Sequence, residues 1–187
     1  FRRVLFRSPR QALSGAAQVL LGFFKKLVVA DNAAVLVGLL EKHPDPGRGG
    51  VVLLMGLLSI RILFDFSGYS DIAIGLGRLA GLELPRNFRW PYAAGNLSEF
   101  WQRWHISLSS WIRDYVYVPL GGGRTSLPRK AVNLSVTMFL CGLWHGPAWH
   151  FGLWGLYHGG GLVVHGLWER SATAKRLACT MPSAIDS

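Results

Sequence analysis

The sequence predicts an all-α, multi-pass transmembrane protein, and three observations lead there. Half of the 187 residues are hydrophobic and only 16% are charged, with a mean hydropathy of +0.27; a soluble domain carries about a quarter charged residues. Apolar runs of helical length recur along the chain, and no strand-like pattern exceeds Val116–Val118. Tryptophan, arginine and histidine crowd into the otherwise apolar stretch from Asn96 to His145, as expected where polar chemistry is placed at bilayer depth.

Charge and cysteine content narrow the class further. The net charge is +10, which on a soluble protein would point to nucleic acid. Here the Lys and Arg residues flank or interrupt apolar runs and have no soluble face, so lipid headgroups account for them and nucleic acid is excluded. Cys141 and Cys179 are the two cysteines, so no disulfide framework is implied. The chain begins with Phe and shows no leader, and is expected to be a fragment of a longer membrane protein.

Residues 1–13 are basic and unpatterned and stay unassigned, as does the polar tail 169–187; the core is expected over 14–168. Ser14–Leu40 is apolar but interrupted by Lys25, Lys26 and Asp31. It reads as two short helices, or as one helix whose lysines snorkel to the interface. Pro44 and Pro46 mark a loop over Glu41–Gly50. Val51–Phe66 is apolar with Arg61 and Asp65 four residues apart, so the two are expected to meet on one helix face. Asp71 follows in an apolar background, and Gly75, Gly77 and Gly81 would permit close helix approach.

Pro85–Pro91 reads as an interfacial turn with Trp90 and Tyr92 at headgroup level. Asn96 is expected to cap a helix with Glu99 as its box partner. Trp101, Trp104, His105, Leu108, Trp111, Ile112 and Tyr115 recur at helical spacing, which places His105 on the apolar face of one continuous helix. Pro119 and Gly121–Gly123 end it. Thr125–Lys130 reads as a polar loop, and Ala131–Trp144 as an apolar helix interrupted by Gly146 and Pro147. Trp149–Leu167 is a further apolar helix carrying His158 and His165.

His145 is the first candidate for chemistry, because an imidazole titrates near neutrality and an apolar setting keeps it in the neutral form a general base needs. On periodicity alone, His105 reads as a core residue. Cys141 lies four residues before His145 and would share its helix face, but a small buried packing residue is the simpler reading. No metal site is expected, since the histidine spacings do not suit one ion and H-E-x-x-H and C-x-x-C are missing. Gly121–Arg124 lacks the ending of a phosphate-cradling loop and reads as a hinge.

Four stretches carry a family resemblance: F-D-F-S-G-Y-S-D-I-A-I-G-L-G (64–77), N-F-R-W-P-Y (87–92), S-E-F-W-Q-R-W-H-I-S-L-S-S-W-I-R-D-Y-V-Y-V-P-L-G-G-G-R (98–124) and N-L-S-V-T-M-F-L-C-G-L-W-H-G-P-A-W-H-F-G-L-W-G-L-Y-H-G (133–159). In this order the chain resembles the membrane-bound O-acyltransferases, nearest their bacterial alginate-acetylating branch. The resemblance implies a ring of tilted helices around a tunnel, present here in part, in a bacterial inner membrane. It implies acetyl transfer from acetyl-CoA or another acyl thioester toward a cell-envelope polysaccharide such as alginate, with no tightly bound cofactor. Periplasmic acetyl-transfer or polysaccharide-modification proteins and membrane lipid are the implied partners. His145 takes the place of the family's catalytic histidine and His105 that of the second motif histidine. Trp104, Arg113, Asp114, Trp144 and Asp71 are carried as substrate-binding candidates. A transporter or export scaffold with a polar intramembrane pathway is the alternative reading.

Overall fold

The computed structural model describes residues 8–171; what the sequence suggests for residues 1–7 and 172–187, Cys179 included, lies outside them. Helices and the turns between them make up the described chain. It divides between Asn87 and Phe88 into two compact units.

The N-terminal unit is built on two long helices. The first starts at Pro9, five residues earlier than the expected apolar core. Ser8 caps it, its Oγ accepting the Gln11 amide at 3.2 Å, and Pro9 stands at the first position, where a missing N–H costs nothing. Helix α1 (Pro9–Phe23) runs through a π-helical segment (Phe24–Ala30) into α2 (Asp31–Glu41). The apolar run is therefore one continuous helix. Its lysines do not snorkel: Lys25 Nζ lies 2.5 Å from Asp71, and Lys26 Nζ lies 2.7 Å from Asp65 and 2.8 Å from Asp31.

Helix α3 (Gly47–Leu79) is 33 residues long, and nothing in the described chain buries its most apolar 18-residue window. At 1.5 Å per residue it extends about 50 Å, more than a bilayer core. Val52, Leu53, Met55 and Ile62 are exposed along it, as suits a surface facing lipid or further protein. Arg61 does not pair with Asp65, as the spacing suggests, because Lys26 holds that carboxylate.

Four glycines fix how α1 and α3 pack. A Cβ on Gly22 would stand 2.6 Å from the Gly68 carbonyl oxygen, and one on Gly75 would stand 2.6 Å from that of Gly15. Gly15 and Gly22 are seven residues apart, as are Gly68 and Gly75, so each pair returns to the same helix face after two turns. The backbones touch where glycines meet, and the side chains between them close the seam. Asp71 completes it: one carboxylate oxygen takes Lys25, and the other takes Gln18 Nε2 at 2.5 Å. Gln18 in turn accepts from Arg78 at 3.2 Å.

Among the described residues the C-terminal unit holds four α-helices: α4 (Leu97–Arg103), α5 (Ile106–Ile112), α6 (Leu127–Leu143) and α7 (Trp149–Arg170). A 3-10 turn (Pro91–Ala93) precedes α4, and a π-helical turn (Arg113–Tyr117) follows α5. Trp90 is 82% exposed, which suits headgroup depth, and Tyr92, 52% exposed, also stacks on Phe100. Helix α6 begins with Leu127 and Pro128, inside the expected loop. It and α7 form an antiparallel hairpin with the same glycine logic. A Cβ on Gly142 would collide with the Phe151 carbonyl, and one on Gly155 with that of Met138. At the other end of α6, Asn133 is buried and donates to Gly122 O at 3.4 Å, tying the Gly121–Gly123 turn to the helix.

In the full-length protein Gly75→Val should lower thermal stability by about 1–3 kcal/mol through overpacking. Gly56 has nothing within 4 Å of a Cβ, so Gly56→Ala should be neutral or stabilising by about 0.5–1 kcal/mol. Detergent-solubilised melting curves decide it. A Gly75 variant melting with the parent would show that the α1–α3 seam opens freely.

Candidate active site

The two candidate histidines sit on breaks between helices. Asn96 caps α4 as its sequence implies, Oδ1 accepting the Glu99 amide at 2.8 Å. Glu99 reaches one residue further back than a capping box requires, taking the Gly95 amide at 2.7 Å, and it also pairs with Arg103. The expected single helix then stops. Trp104 is extended and His105 is left-handed, with φ 41°. Trp104 packs edge-on to Phe88 with centroids 5.1 Å apart and stacks on Phe100 at 5.7 Å and Tyr92 at 6.3 Å. Ser109 secures the corner, its Oγ donating to Trp104 O at 2.9 Å. A left-handed conformation costs a non-glycine residue about 1–2 kcal/mol, a cost the aromatic packing of Trp104 offsets.

His145 lies beyond the end of α6. Trp144 is the cap residue, and Gly146 adopts φ 153°, a backbone that side-chain-bearing residues rarely take. Cys141 and His145 therefore do not share a helix face, as their spacing suggests. Cys141 is 2% exposed inside the α6–α7 hairpin, while His145 projects from the connection.

Trp144 brings the two breaks together. Its ring lies 5.7 Å from the His105 imidazole and 5.2 Å from that of His145, near-perpendicular to both. Phe151, at 5.9 Å, and Trp154, at 5.3 Å, form two further walls around His145. Both connections lie outside the helices. Burial holds His145 below the ordinary imidazole pKa; burial, with His145 as a charged neighbour, does the same for His105. Both rings are thus neutral near pH 7 and able to accept a proton. Ser107 Oγ lies 3.5 Å from His105 Nδ1.

A cavity of about 460 Å³ lies between α4, α5, α6 and α7; neither histidine lines it, though Ile106, the neighbour of His105, does. Trp101, Ser109, Arg113, Tyr117, Thr137 and Cys141 are among its lining residues. Its walls mix hydroxyls and a guanidinium with apolar carbons, which suits a ligand with a polar backbone and aliphatic segments.

The other candidates separate. Trp104 and Trp144 belong to the aromatic walls. Arg113 faces the cavity and bonds its neighbour Asp114 at 2.8 Å, which holds that carboxyl below its usual range. Asp71 belongs to the N-terminal unit, and both its oxygens are taken by Lys25 and Gln18; the structure uses it as a helix clamp. Sequence reasoning missed Phe151, Trp154 and Trp101 as wall residues. His150, Trp154 and His158 recur every four residues along α7, which marks one helix face but not what that face meets, and Phe151 and Trp101 carry no such mark.

The family model described as "MBOAT, membrane-bound O-acyltransferase family" matches residues 49–178. A "Probable alginate O-acetylase AlgI" of Azotobacter vinelandii is 44% identical over 150 residues, covering 80% of this chain and 30% of that protein. A "Peptidoglycan O-acetyltransferase" of Helicobacter pylori is 39% identical over 88% of this chain and 31% of its own length. A "Teichoic acid D-alanyltransferase" of Streptococcus thermophilus is 33% identical over 81% of this chain and 40% of its own length. The chain thus spans about a third of the length of the curated relatives it matches.

Because His105 is left-handed, His105→Gly should melt higher than His105→Ala by about 1 kcal/mol in the full-length protein. Equal melting of the two variants would show that the corner carries no backbone strain.

Proposed function

The chain belongs to the membrane-bound O-acyltransferase family, a family of membrane proteins, and from that premise we propose that it forms the catalytic segment of a multi-pass inner-membrane O-acetyltransferase. The observation that supports this best is the convergence of two imidazoles, from two separate helix breaks, on the ring of Trp144. The names of the relatives support an acceptor hydroxyl on a cell-envelope polysaccharide of the alginate or peptidoglycan kind, reached directly or through a periplasmic partner protein. The donor is an acyl thioester, with acetyl-CoA the simplest.

The chemistry asks little of the protein beyond a base and dryness. His145 accepts the proton of the acceptor hydroxyl as that oxygen attacks the thioester carbonyl carbon. The tetrahedral intermediate collapses, the carbon–sulfur bond breaks, and the leaving thiolate takes the proton back from His145 as free thiol. Trp144 and Trp154 are 59% and 37% exposed in this segment, so the exclusion of water that keeps donor hydrolysis from competing falls to the rest of the full-length protein. His105 is placed to orient the reactants, and Arg113 and the cavity hydroxyls to hold the donor's polar arm. Cys141 takes no covalent part: only 2% of it is exposed, at the wall of the cavity, and it lies inside α6 whereas His145 lies on the connection beyond it.

Two outcomes test this in the full-length enzyme with its acceptor. His145→Ala should abolish acceptor-dependent thiol release from acetyl-CoA, a loss of at least about a hundredfold for a general base, while Cys141→Ala should retain it. Acceptor-dependent release that persists in His145→Ala would remove that residue from the mechanism. The pH profile supplies the second. A base whose pKa is lowered is neutral above that value and protonated below it. The acid limb of kcat/KM should therefore have its midpoint below the ordinary imidazole value of about 6.5, with a plateau through pH 7. A midpoint above 6.5 would contradict a desolvated imidazole.

A further inference from the structure

The first turn of α6 lies beside the last turns of α7: Lys130 Nζ stands 3.9 Å from where a Cβ on Gly166 would be. A groove of about 200 Å³ opens there, lined by Leu127, Pro128, Ala131, Leu134, Val163 and Leu167, with Lys130 as its one charged wall. Arg124, Arg129 and Arg170 lie within three residues of that lining. Among the described residues none of these four cations is in an ion pair, and Glu169, the acidic residue at this end of α7, faces His165 at 3.4 Å. The first turn of α6 holds no acidic residue, so its free amides add to the positive potential. Trp168, half exposed, stands at the same end, as aromatic residues do at a membrane–water boundary.

An apolar slot ending in uncompensated cations, at the boundary end of a membrane-protein hairpin, has the two-part chemistry of one ligand class. We propose that this groove binds a single anionic phospholipid, one acyl tail along the Leu127–Leu134 and Val163–Leu167 walls and the phosphate at Lys130, Arg129 and the amino end of α6. Charge complementarity selects this occupant over a zwitterionic lipid, whose headgroup would leave the cations unneutralised. It also selects it over an apolar protein segment, which would bury Lys130 without a counter-charge. Leu134 and Leu162 line both this groove and the larger cavity between α4, α5, α6 and α7, so a bound tail would share two wall residues with that cavity.

The test uses the full-length protein, delipidated in detergent and offered dioleoylphosphatidylglycerol or dioleoylphosphatidylcholine. Native mass spectrometry counts the retained lipid, and a phosphatidylglycerol carrying a tail diazirine maps its site. Phosphatidylglycerol should be retained at least about tenfold over phosphatidylcholine, given roughly a fivefold gain in affinity per basic residue at an anionic headgroup. Cross-links should fall in 127–134 and 162–167. The double variant Arg129→Gln, Lys130→Gln should remove the preference and leave phosphatidylcholine retention unchanged. Gly166→Phe, which fills the slot without altering charge, should remove the cross-links and serves if the charge variants fail to fold. Equal retention of the two lipids, cross-links elsewhere, or displacement by millimolar inorganic phosphate would each overturn the proposal.

Discussion

Backbone-to-backbone contact at glycine determines how the helices of this chain pack. Gly15, Gly22, Gly68 and Gly75 bring α1 and α3 together, and Gly142, Gly155 and Gly159 do so for α6 and α7. In a membrane protein the apolar effect does not drive one helix onto another, because lipid is as apolar as leucine. Close approach then has to supply the dispersion contact that holds helices together. A methyl group in the wrong place would separate two backbones along several turns, so these glycines set the register of everything attached to their helices. In the C-terminal unit that register carries His145 and its walls, Phe151 and Trp154, on the two ends of one hairpin connection.

Charge is handled by the same economy of partners. Lys25 and Lys26 are adjacent in sequence, yet a π-helical segment lets them serve different carboxylates, Asp71 and Asp65. Each ion pair joins elements far apart along the chain. The Lys25–Asp71 pair is partly buried, and a buried charge stripped of its partner is costly, so it discriminates against sliding of α1 along α3 more than it adds net stability; the Lys26–Asp65 pair is exposed and contributes little.

Much of the fold was legible in the sequence. The apolar runs and the Asn96 cap appear where hydropathy and capping chemistry put them, though α3 starts at Gly47 and α6 at Leu127, each inside an expected loop. The continuous helix through Trp104 and His105 did not appear, because periodicity records which residues are apolar and not whether the backbone turns between them. Here the stacking of Trp104 on Phe100 and Tyr92, a tertiary contact, overrides a valid helical pattern. The Arg61–Asp65 pairing failed for a related reason: i,i+4 proximity is local, and Lys26 from another helix competed for the carboxylate. Of the candidate site, both histidines and Trp144 were readable from residue type and motif. Trp154 and Phe151 were not, since their part depends on how the α6–α7 connection folds back.

The π-helical segment at Phe24–Ala30 takes up one residue of chain length inside the N-terminal unit. A π turn holds one residue more than an α turn within about the same rotation. Removing that residue would leave one regular turn, so the helix on either side would keep nearly its phase, Gly15 and Gly22 with it. The side chains inside the segment, Lys25 and Lys26 among them, would be re-aimed instead. An insertion or deletion in the α-helical part of α1 has the opposite effect, turning everything upstream of it by about 100°. The wide turn thus directs two neighbouring lysines to different carboxylates without moving the glycine seam.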